Sequence, residues 1–227
     1  PYAKERKSMR ALSGKKEPDA IADSLIHHGD VRRMLLKQKA IAEGGRAMIY
    51  YAAQYADNMI AGMLEDDMKK YEHWDSELGF LTPILKGFLT EKGLEAANEG
   101  MQVFGGHGYI KEHGMEQIAR DARISTLYEG TNGIQALDLL GRKVLMTQGQ
   151  ALRNFTKIIH KFCEANAGNE KLKELIEPLA ASNKEWGDLT QSIGMQAMQN
   201  PEYAGGAPVD YLLYSGCGTL AYLVAVM

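Results

Sequence analysis

The chain has 227 residues, and its 26 basic and 29 acidic side chains leave a formal net charge of −3. Hydrophobic residues make up 45% of the sequence and charged residues 24%, which excludes a disordered chain and favours a globular one with a sizeable core. Basic and acidic residues are mixed along the whole chain, so it lacks the basic surface that binds a nucleic-acid backbone. We therefore expect no nucleic-acid partner.

Cysteine and histidine usage indicates the compartment. The only two cysteines, Cys163 and Cys217, form neither a disulfide framework nor a metal-binding pair. The histidines also lack zinc-type spacing, so no metal is expected. Together these features favour a reducing environment, either cytoplasmic or mitochondrial-matrix-like, and no targeting segment is visible.

Helical periodicity begins at the first residues. The sequence from Pro1 to Arg6 is typical of the inside of a helix, and we expect the chain to be a piece of a longer one. Apolar residues then recur at three- and four-residue steps over 31–64, which predicts one long amphipathic helix with Asp30 as its N-cap.

A second long helix is predicted over 76–103, after a polar link at 73–75. Pro83 is interpreted as a restart, because proline is tolerated in the first turn of a helix. A glycine-rich segment then interrupts the pattern. Two further helices, over 115–121 and 132–145, complete a predicted up-down four-helix bundle.

A separate stretch with helical periodicity follows residue 148, and helices are predicted over 151–167, over 170–199 and from 209 onward. We therefore predict two domains, 1–148 and 149–227. No run of alternating β-branched and aromatic residues predicts a strand, so the fold class is all-α, a four-helix bundle followed by a smaller helical module. Counted from Cys217, the last apolar stretch is about half the ~20 residues of a transmembrane helix, and no membrane span is expected.

The segment between the second helix and the bundle-closing helix carries candidate chemistry. Its glycines at 105–114 favour either a helix C-terminal turn or a loop folded against a cofactor or a neighbouring subunit. Neither common phosphate-binding glycine fingerprint is present. Glu129 follows apolar residues and precedes a helix start at Thr131 or Asn132. It is either a base whose pKa is raised by partly apolar surroundings or an acid placed near a helix N-terminus.

Three motifs in this segment resemble the C-terminal helical domain of the flavin-dependent acyl-CoA dehydrogenases. They are Gln-x-x-Gly-Gly-x-Gly-Tyr at 102–109, Arg-Asp-Ala-Arg-Ile at 120–124 and Tyr-Glu-Gly-Thr-Asn at 128–132. Residues 2–6 are similar to the helix that opens this domain. The sequence after residue 150 resembles the extra C-terminal module of the branch of this family that has larger subunits. That branch includes enzymes for long-chain acyl-CoA and methylthiopropanoyl-CoA.

The resemblance implies α,β-dehydrogenation of an acyl-CoA to the trans-2-enoyl-CoA, as in fatty acid β-oxidation. Glu129 matches the base that removes the pro-R α-proton while hydride passes to flavin N5. Its backbone N–H would bind the thioester oxygen, Gly130 would leave space for the thioester, and Thr131 matches a residue that hydrogen-bonds the flavin. Tyr128 either lines the substrate site or is a buried tyrosine.

The resemblance also implies FAD as cofactor, held mainly by the neighbouring subunit. Gln102, Gly105 and Gly106 match the loop that contacts its ADP half, and Arg6 matches an arginine that reaches the same cofactor. A homodimer or homotetramer follows, with an electron-transfer flavoprotein as electron acceptor. The sequence departs from the family at Gly29, where shorter members carry a glutamine that contacts flavin.

Two alternatives stay open on the sequence. One is a helical oligomerisation module that derives from this family and has lost catalysis, and the other is an acyl-CoA oxidase. The domains that carry many of the family's flavin and CoA contacts are not in these residues, so we expect the isolated fragment to be inactive.

Overall fold

A computed structural model describes residues 1–227. The chain is all-helical, as predicted, apart from one isolated bridge between Lys7 and Ser24. The α-helices are α1 (Tyr2–Glu5), α2 (Gly29–Leu64), α3 (Met68–Phe104), α4 (Gly106–Tyr109), α5 (Met115–Ile124), α6 (Asn132–Leu137), α7 (Gln150–Asn166), α8 (Lys173–Gln199), α9 (Glu202–Gly206) and α10 (Pro208–Val226). Short 3-10 helices lie at Leu25–His27 and Lys111–His113.

The bundle-closing helix is present but is not α-helical throughout. α6 continues directly into a π-helix over Asp138–Leu145. At its end the N–H of Met146 donates to the carbonyl of Gly141, five residues back, at 2.9 Å. Leu139, Leu140 and Val144 of this segment are fully buried, so the wider turn lies within the core.

The second long helix is longer than predicted. α3 begins at Met68, so the polar segment 73–75, predicted as a link, lies inside the helix. The break comes earlier, where Asp66 has a φ of +55° and the Asp67 carboxylate accepts the N–H of Lys70 at 3.1 Å. A carboxylate that accepts an N–H of the first turn is an N-cap, and it explains where α3 starts.

Pro83 lies inside α3 and does not restart the helix, contrary to the prediction. A proline at this position removes one backbone N–H donor. Burial offsets that cost, because Phe80, Leu81 and Ile84 around it are at most 1% exposed.

The start of α2 also differs slightly from the prediction. The helix begins at Gly29, and the Asp30 carboxylate, predicted as its N-cap, instead accepts from Arg33 Nε at 2.8 Å. An i,i+3 ion pair on an exposed helix surface contributes little to stability, because solvent screens both charges.

The residues group into two compact units. The first comprises residues 1–43 and 90–126, and the second comprises residues 44–89 and 127–227. Both long helices contribute to each unit, whereas α6 to α10 belong wholly to the second. The two-domain division predicted at residue 148 stays a prediction.

The first unit has a small core and a surface ion-pair cluster. Met34 of α2 and Val103 of α3 are buried together with Ala3 of α1. Lys37 of α2 lies 3.1 Å from the Glu99 carboxylate of α3. The apolar contacts supply most of the stabilisation here, because the ion pair is partly exposed to solvent.

The second unit holds the main core. Its largest fully buried side chains come from α2, α3, α6 with its π-helical extension, α7, α8 and α10, and they lie on both sides of residue 148: Met48, Phe80, Leu81, Ile84, Phe88, Leu139, Leu140, Phe155, Ile159, Trp186, Tyr211 and Leu212. One continuous apolar cluster therefore holds these helices together.

α10 is longer than the apolar stretch counted from Cys217. It begins at Pro208, has 19 residues, and is long and apolar enough to cross a membrane. Within the unit 44% of that window is buried, and the Tyr211 hydroxyl lies 2.8 Å from the Thr190 hydroxyl of α8. A buried core helix meets the same criteria of length and composition, so the absence of a membrane span stays a prediction.

The loop between α1 and α2 closes around one buried carboxylate. Asp23 is fully buried and accepts the backbone N–H groups of Ala11, Lys16 and Glu17 at 2.8 to 3.0 Å, and Arg10 lies 3.0 Å away. Burial alone would raise the pKa of Asp23, but these donors outweigh it and hold the pKa well below its usual range. Asp23 thus acts as the centre of the loop.

We expect the loop to stay closed in acid until its carboxylates are protonated. Hydrogen bonds from Lys7 and Ser24 lower the pKa of Glu17 to about 2. An unfolded carboxylate titrates near ~4, so this stabilisation is fully present above about pH 4 and is lost as the pH falls through about 2. Amide hydrogen exchange at Ser24, whose N–H donates to Glu17 at 3.0 Å, should be slow at pH 4 and lose its protection as the pH falls below about 2. The Ala11 amide, which donates to Asp23, should also be slow at pH 4.

Asp23→Asn is the matched variant for that measurement. It keeps the size of the side chain and removes the charge, so the Ala11 amide should lose protection even at neutral pH. Unchanged exchange in this variant would contradict the role of Asp23.

Candidate functional site

The predicted site residues lie in two segments, one in each unit. Arg6, Gln102, Gly105 and Gly106 belong to the first unit. The turn 128–131 belongs to the second.

The glycine loop ends α3 and leaves its backbone open. Gly105 has φ +59° and ψ −140°, a conformation that side-chain-bearing residues rarely adopt, and its N–H donates to the Gln102 carbonyl at 2.9 Å. No atom outside the loop lies within 4 Å of where a Cβ of Gly105 or Gly106 would stand. Gly108 differs, because its Cβ would collide with the Met101 carbonyl oxygen. The loop is therefore a helix C-terminal turn, as one alternative held, with an exposed backbone that a ligand can approach.

The opening helix α1 is attached to this loop. The Tyr2 ring stacks on Phe104 with 4.1 Å between ring centroids, and the Tyr2 hydroxyl lies 2.7 Å from His107 Nδ1. Arg6 closes α1, is exposed, and forms no ion pair within the chain. An unpaired guanidinium, the exposed Gln102 amide and open glycine backbone suit a ligand that bears phosphate groups.

The turn 128–131 contains two successive residues in the left-handed region. Glu129 has φ +56° and Gly130 has φ +82°. The conformation costs glycine little, but for glutamate it costs about 1 kcal/mol, and such strain concentrates at functional sites. The backbone N–H of Glu129 makes no hydrogen bond within the chain. The turn thus presents a carboxylate and a free N–H from the same residue.

The carboxylate of Glu129 is not enclosed by this chain. Glu129, Gly130 and Tyr128 are all exposed, and Tyr128 keeps 52% of its accessible surface, so it is not the buried tyrosine of the alternative prediction. The partly apolar surroundings expected for Glu129 are limited to exposed neighbours such as Leu127.

Thr131 marks the start of α6, as predicted. Its Oγ1 accepts the N–H of Ile134 at 3.4 Å, which makes it the N-cap. The same hydroxyl keeps its hydrogen for another acceptor, since a hydroxyl both donates and accepts. Thr131 is exposed and able to donate to a ligand.

Two side chains that the sequence analysis did not single out, Lys86 and Gln135, hold the turn. Lys86 of α3 donates from Nζ to the Gly130 carbonyl at 2.6 Å and to Asn132 Oδ1 at 2.9 Å. Gln135 of α6 donates from Nε2 to the Glu129 carbonyl at 3.2 Å. The sequence offers one signal for them, a lysine at 86 within an otherwise apolar stretch of α3.

Two family models match the chain. The model described as the acyl-CoA dehydrogenase C-terminal domain matches residues 9–145, and one described as acetyl-CoA dehydrogenase C-terminal like matches residues 155–227. Together they account for nearly the whole chain.

Similar proteins carry related names. The chain is 37% identical over 216 residues to the 3-methylmercaptopropionyl-CoA dehydrogenase of Ruegeria pomeroyi, covering 95% of the chain and 36% of that protein. It is 34% identical over 226 residues to the broad-specificity linear acyl-CoA dehydrogenase FadE5 of Mycobacterium tuberculosis, covering 99% of the chain and 36% of the relative. The chain therefore spans little more than a third of the length of these relatives.

The fold also matches solved structures. The crystal structure of Caenorhabditis elegans ACDH-11 in complex with C11-CoA aligns with a TM-score of 0.73 at 20% identity, over 99% of this chain and 35% of that one. Acyl-CoA oxidase 3 of Yarrowia lipolytica aligns with a TM-score of 0.70 at 16% identity, over 98% of this chain and 34% of that one. At these identities the likeness is one of fold. With the family model covering more than half of its residues, the chain belongs to the acyl-CoA dehydrogenase family.

Proposed function

We propose that the full-length protein is an FAD-dependent acyl-CoA dehydrogenase that converts an acyl-CoA thioester to the trans-2-enoyl-CoA. The observation that carries the proposal is the strained turn at Glu129, which presents a carboxylate and an unpaired backbone N–H together. Family membership and relatives named as dehydrogenases of acyl-CoA thioesters support the same reaction class.

Glu129 has two tasks in this proposal. Its carboxylate takes the pro-R α-proton of the acyl group, and its N–H donates to the thioester oxygen as negative charge develops there. A preorganised donor aimed at a developing oxyanion commonly contributes about 3 kcal/mol. The α-proton is otherwise too weakly acidic for a carboxylate, so the two tasks depend on each other. Bound FAD supplies the acceptor for the hydride that leaves the β-carbon.

Five residues of this chain are proposed to hold the flavin. The exposed Arg6 guanidinium and Gln102 amide would contact its phosphate-bearing half, alongside the open backbone of Gly105 and Gly106. The Thr131 hydroxyl would donate to it beside the base. Gly130 and Tyr128 would border the acyl group. These groups are exposed and have the donor chemistry that the cofactor and thioester need.

Assembly and electron transfer are part of the proposal. A homodimer or homotetramer would supply flavin contacts from a neighbouring subunit, and an electron-transfer flavoprotein would accept the electrons. A cytoplasmic or mitochondrial-matrix-like location follows from the low cysteine content.

The test uses the full-length protein purified with its flavin. It is mixed without oxygen with short, long and thioether-containing acyl-CoA thioesters, and the visible flavin absorbance is recorded. Bleaching by one class is the expected result and identifies the substrate range. Bound flavin that no thioester bleaches would overturn the proposal and favour an oligomerisation module.

We also expect the isolated 227-residue chain to bind FAD poorly and to show no turnover. It spans about a third of its relatives' length, so much of a flavin site would come from residues outside it. Flavin fluorescence titration of this chain, with the full-length protein as control, checks the expectation. A tightly bound flavin in the isolated chain would contradict it.

A further inference from the structure

We propose that Lys86 is the positioning residue for the Glu129 turn. This proposal rests on the proposed function, because Lys86 would act through Glu129 and would not touch the substrate. The argument starts from the backbone, since a left-handed glutamate needs contacts that hold it there.

The two carbonyls after the Glu129 Cα are both held by side chains. Gln135 donates to the carbonyl of Glu129 at 3.2 Å, and Lys86 donates to the carbonyl of Gly130 at 2.6 Å. These bonds fix the two peptide planes that follow Glu129. Rotation about the Glu129 backbone would have to break at least one of them.

Lys86 also holds the beginning of α6. Its ammonium lies 2.9 Å from Asn132 Oδ1, and the Asn132 amide donates to the Gly87 carbonyl of α3 at 3.3 Å, with Asn132 buried. Hydrogen bonds to α3 therefore hold both the Gly130 carbonyl and Asn132, the first residue of α6. Phe88, the residue of α3 that follows Gly87, is 2% exposed. A rigid core helix thus fixes the orientation of an exposed carboxylate.

The charge of Lys86 makes this clamp stronger than a neutral one. Hydrogen bonds to an ionised donor are roughly twice as strong as neutral ones. Positioning of the base and of its N–H donor is therefore expected to depend on one side chain of α3.

The experiment compares Lys86→Met, Lys86→Arg and Lys70→Met in the full-length flavoprotein. Lys70 lies on the same helix, and its Nζ pairs with the exposed Glu65 carboxylate at 2.8 Å, so it is the matched control. For Lys86→Met we expect kcat to fall about 10- to 100-fold, the usual cost of misplacing a catalytic group by about 1 Å. KM for the acyl-CoA should change less than threefold and flavin content should not change.

Two readouts separate positioning from loss of structure. Lys86→Arg keeps a cationic donor and should recover most of kcat. The kinetic isotope effect of α-deuterated acyl-CoA should grow in Lys86→Met, because proton removal becomes slower relative to the other steps. A wild-type kcat in Lys86→Met, or an equal loss in Lys70→Met, would overturn the proposal.

A second variant covers the case in which Lys86→Met does not retain flavin. Gln135→Met releases the other carbonyl and should lower kcat in the same way with an enlarged isotope effect; unchanged kcat there would overturn the clamp. Glu129→Gln distinguishes the two levels of proposal. Full activity in Glu129→Gln removes Glu129 as the base and with it the premise of the Lys86 role. Flavin that no thioester bleaches in the unmodified protein removes the proposed function itself, and an inactive Glu129→Gln beside a normal Lys86→Met removes only the role of Lys86.

Discussion

Glu129→Gln in the full-length flavoprotein is expected to abolish flavin reduction by acyl-CoA while flavin binding is retained. The amide is the same size as the carboxylate and preserves the backbone N–H, so the oxyanion donor and the turn stay in place. It cannot accept the α-proton at neutral pH. Loss of a general base commonly costs 10²- to 10⁴-fold, and we expect at least about 10³-fold here because no other carboxylate lies in the turn 128–131. Anaerobic stopped-flow absorbance of the flavin measures the rate.

The control for this variant is Glu177→Gln. Glu177 is exposed on α8 and has no ion-pair partner, so the same chemical change there should leave the rate unaltered. Flavin reduction at the wild-type rate in Glu129→Gln would show that another residue is the base. Loss of flavin from Glu129→Gln would show a structural role instead.

Gly216→Ala, which adds a single methyl group, is expected to destabilise the second unit. Gly216 of α10 is buried, and a Cβ there would collide with the Phe88 ring and lie 2.6 Å from the Phe88 Cβ. Phe88 is 2% exposed and belongs to the main core, so its ring can give way only by displacing other core side chains. Overpacking of a close-packed core costs typically 1–3 kcal/mol. The melting temperature of the full-length protein, followed by far-ultraviolet circular dichroism, should fall.

Gly187→Ala provides the opposite case. Gly187 lies in the middle of α8, is exposed, and has no atom within 4 Å of a built Cβ. Replacing a helical glycine by alanine in open space stabilises by about 0.5–1 kcal/mol, so the melting temperature should rise. Equal effects of the two variants would show that the contact with Phe88 is not what matters at Gly216.

Most of the helices could be predicted from the sequence, because apolar side chains recur at helical spacing on faces that are buried. The errors came where a local signal was stronger than the periodicity. Pro83 reads as a break, but the surrounding core keeps α3 continuous. The polar segment 73–75 reads as a link, although Trp74 packs 4.9 Å from the Tyr55 ring. Tertiary packing decides both places, and it is not visible in a single sequence.

The candidate site could be predicted only in part. Motif resemblance singled out Glu129 and the glycine loop. The backbone at Gly105 and Gly130 has a positive φ that favours glycine, whereas the same positive φ at Glu129 is strained. Lys86 and Gln135 could not be found in this way. They contact carbonyl groups, which every residue has, so no spacing or residue pairing marks their partners.

The π-helix at Asp138–Leu145 has a consequence for changes in chain length. A π-turn holds one residue more than the α-turn it replaces, so losing one residue there can restore the α-helical pattern while both flanks keep their directions. The same deletion in α8 would rotate every following side chain by about 100° and turn Trp186 or Thr190 away from the core. Among homologous chains, a one-residue gap is therefore most easily accommodated between residues 138 and 145.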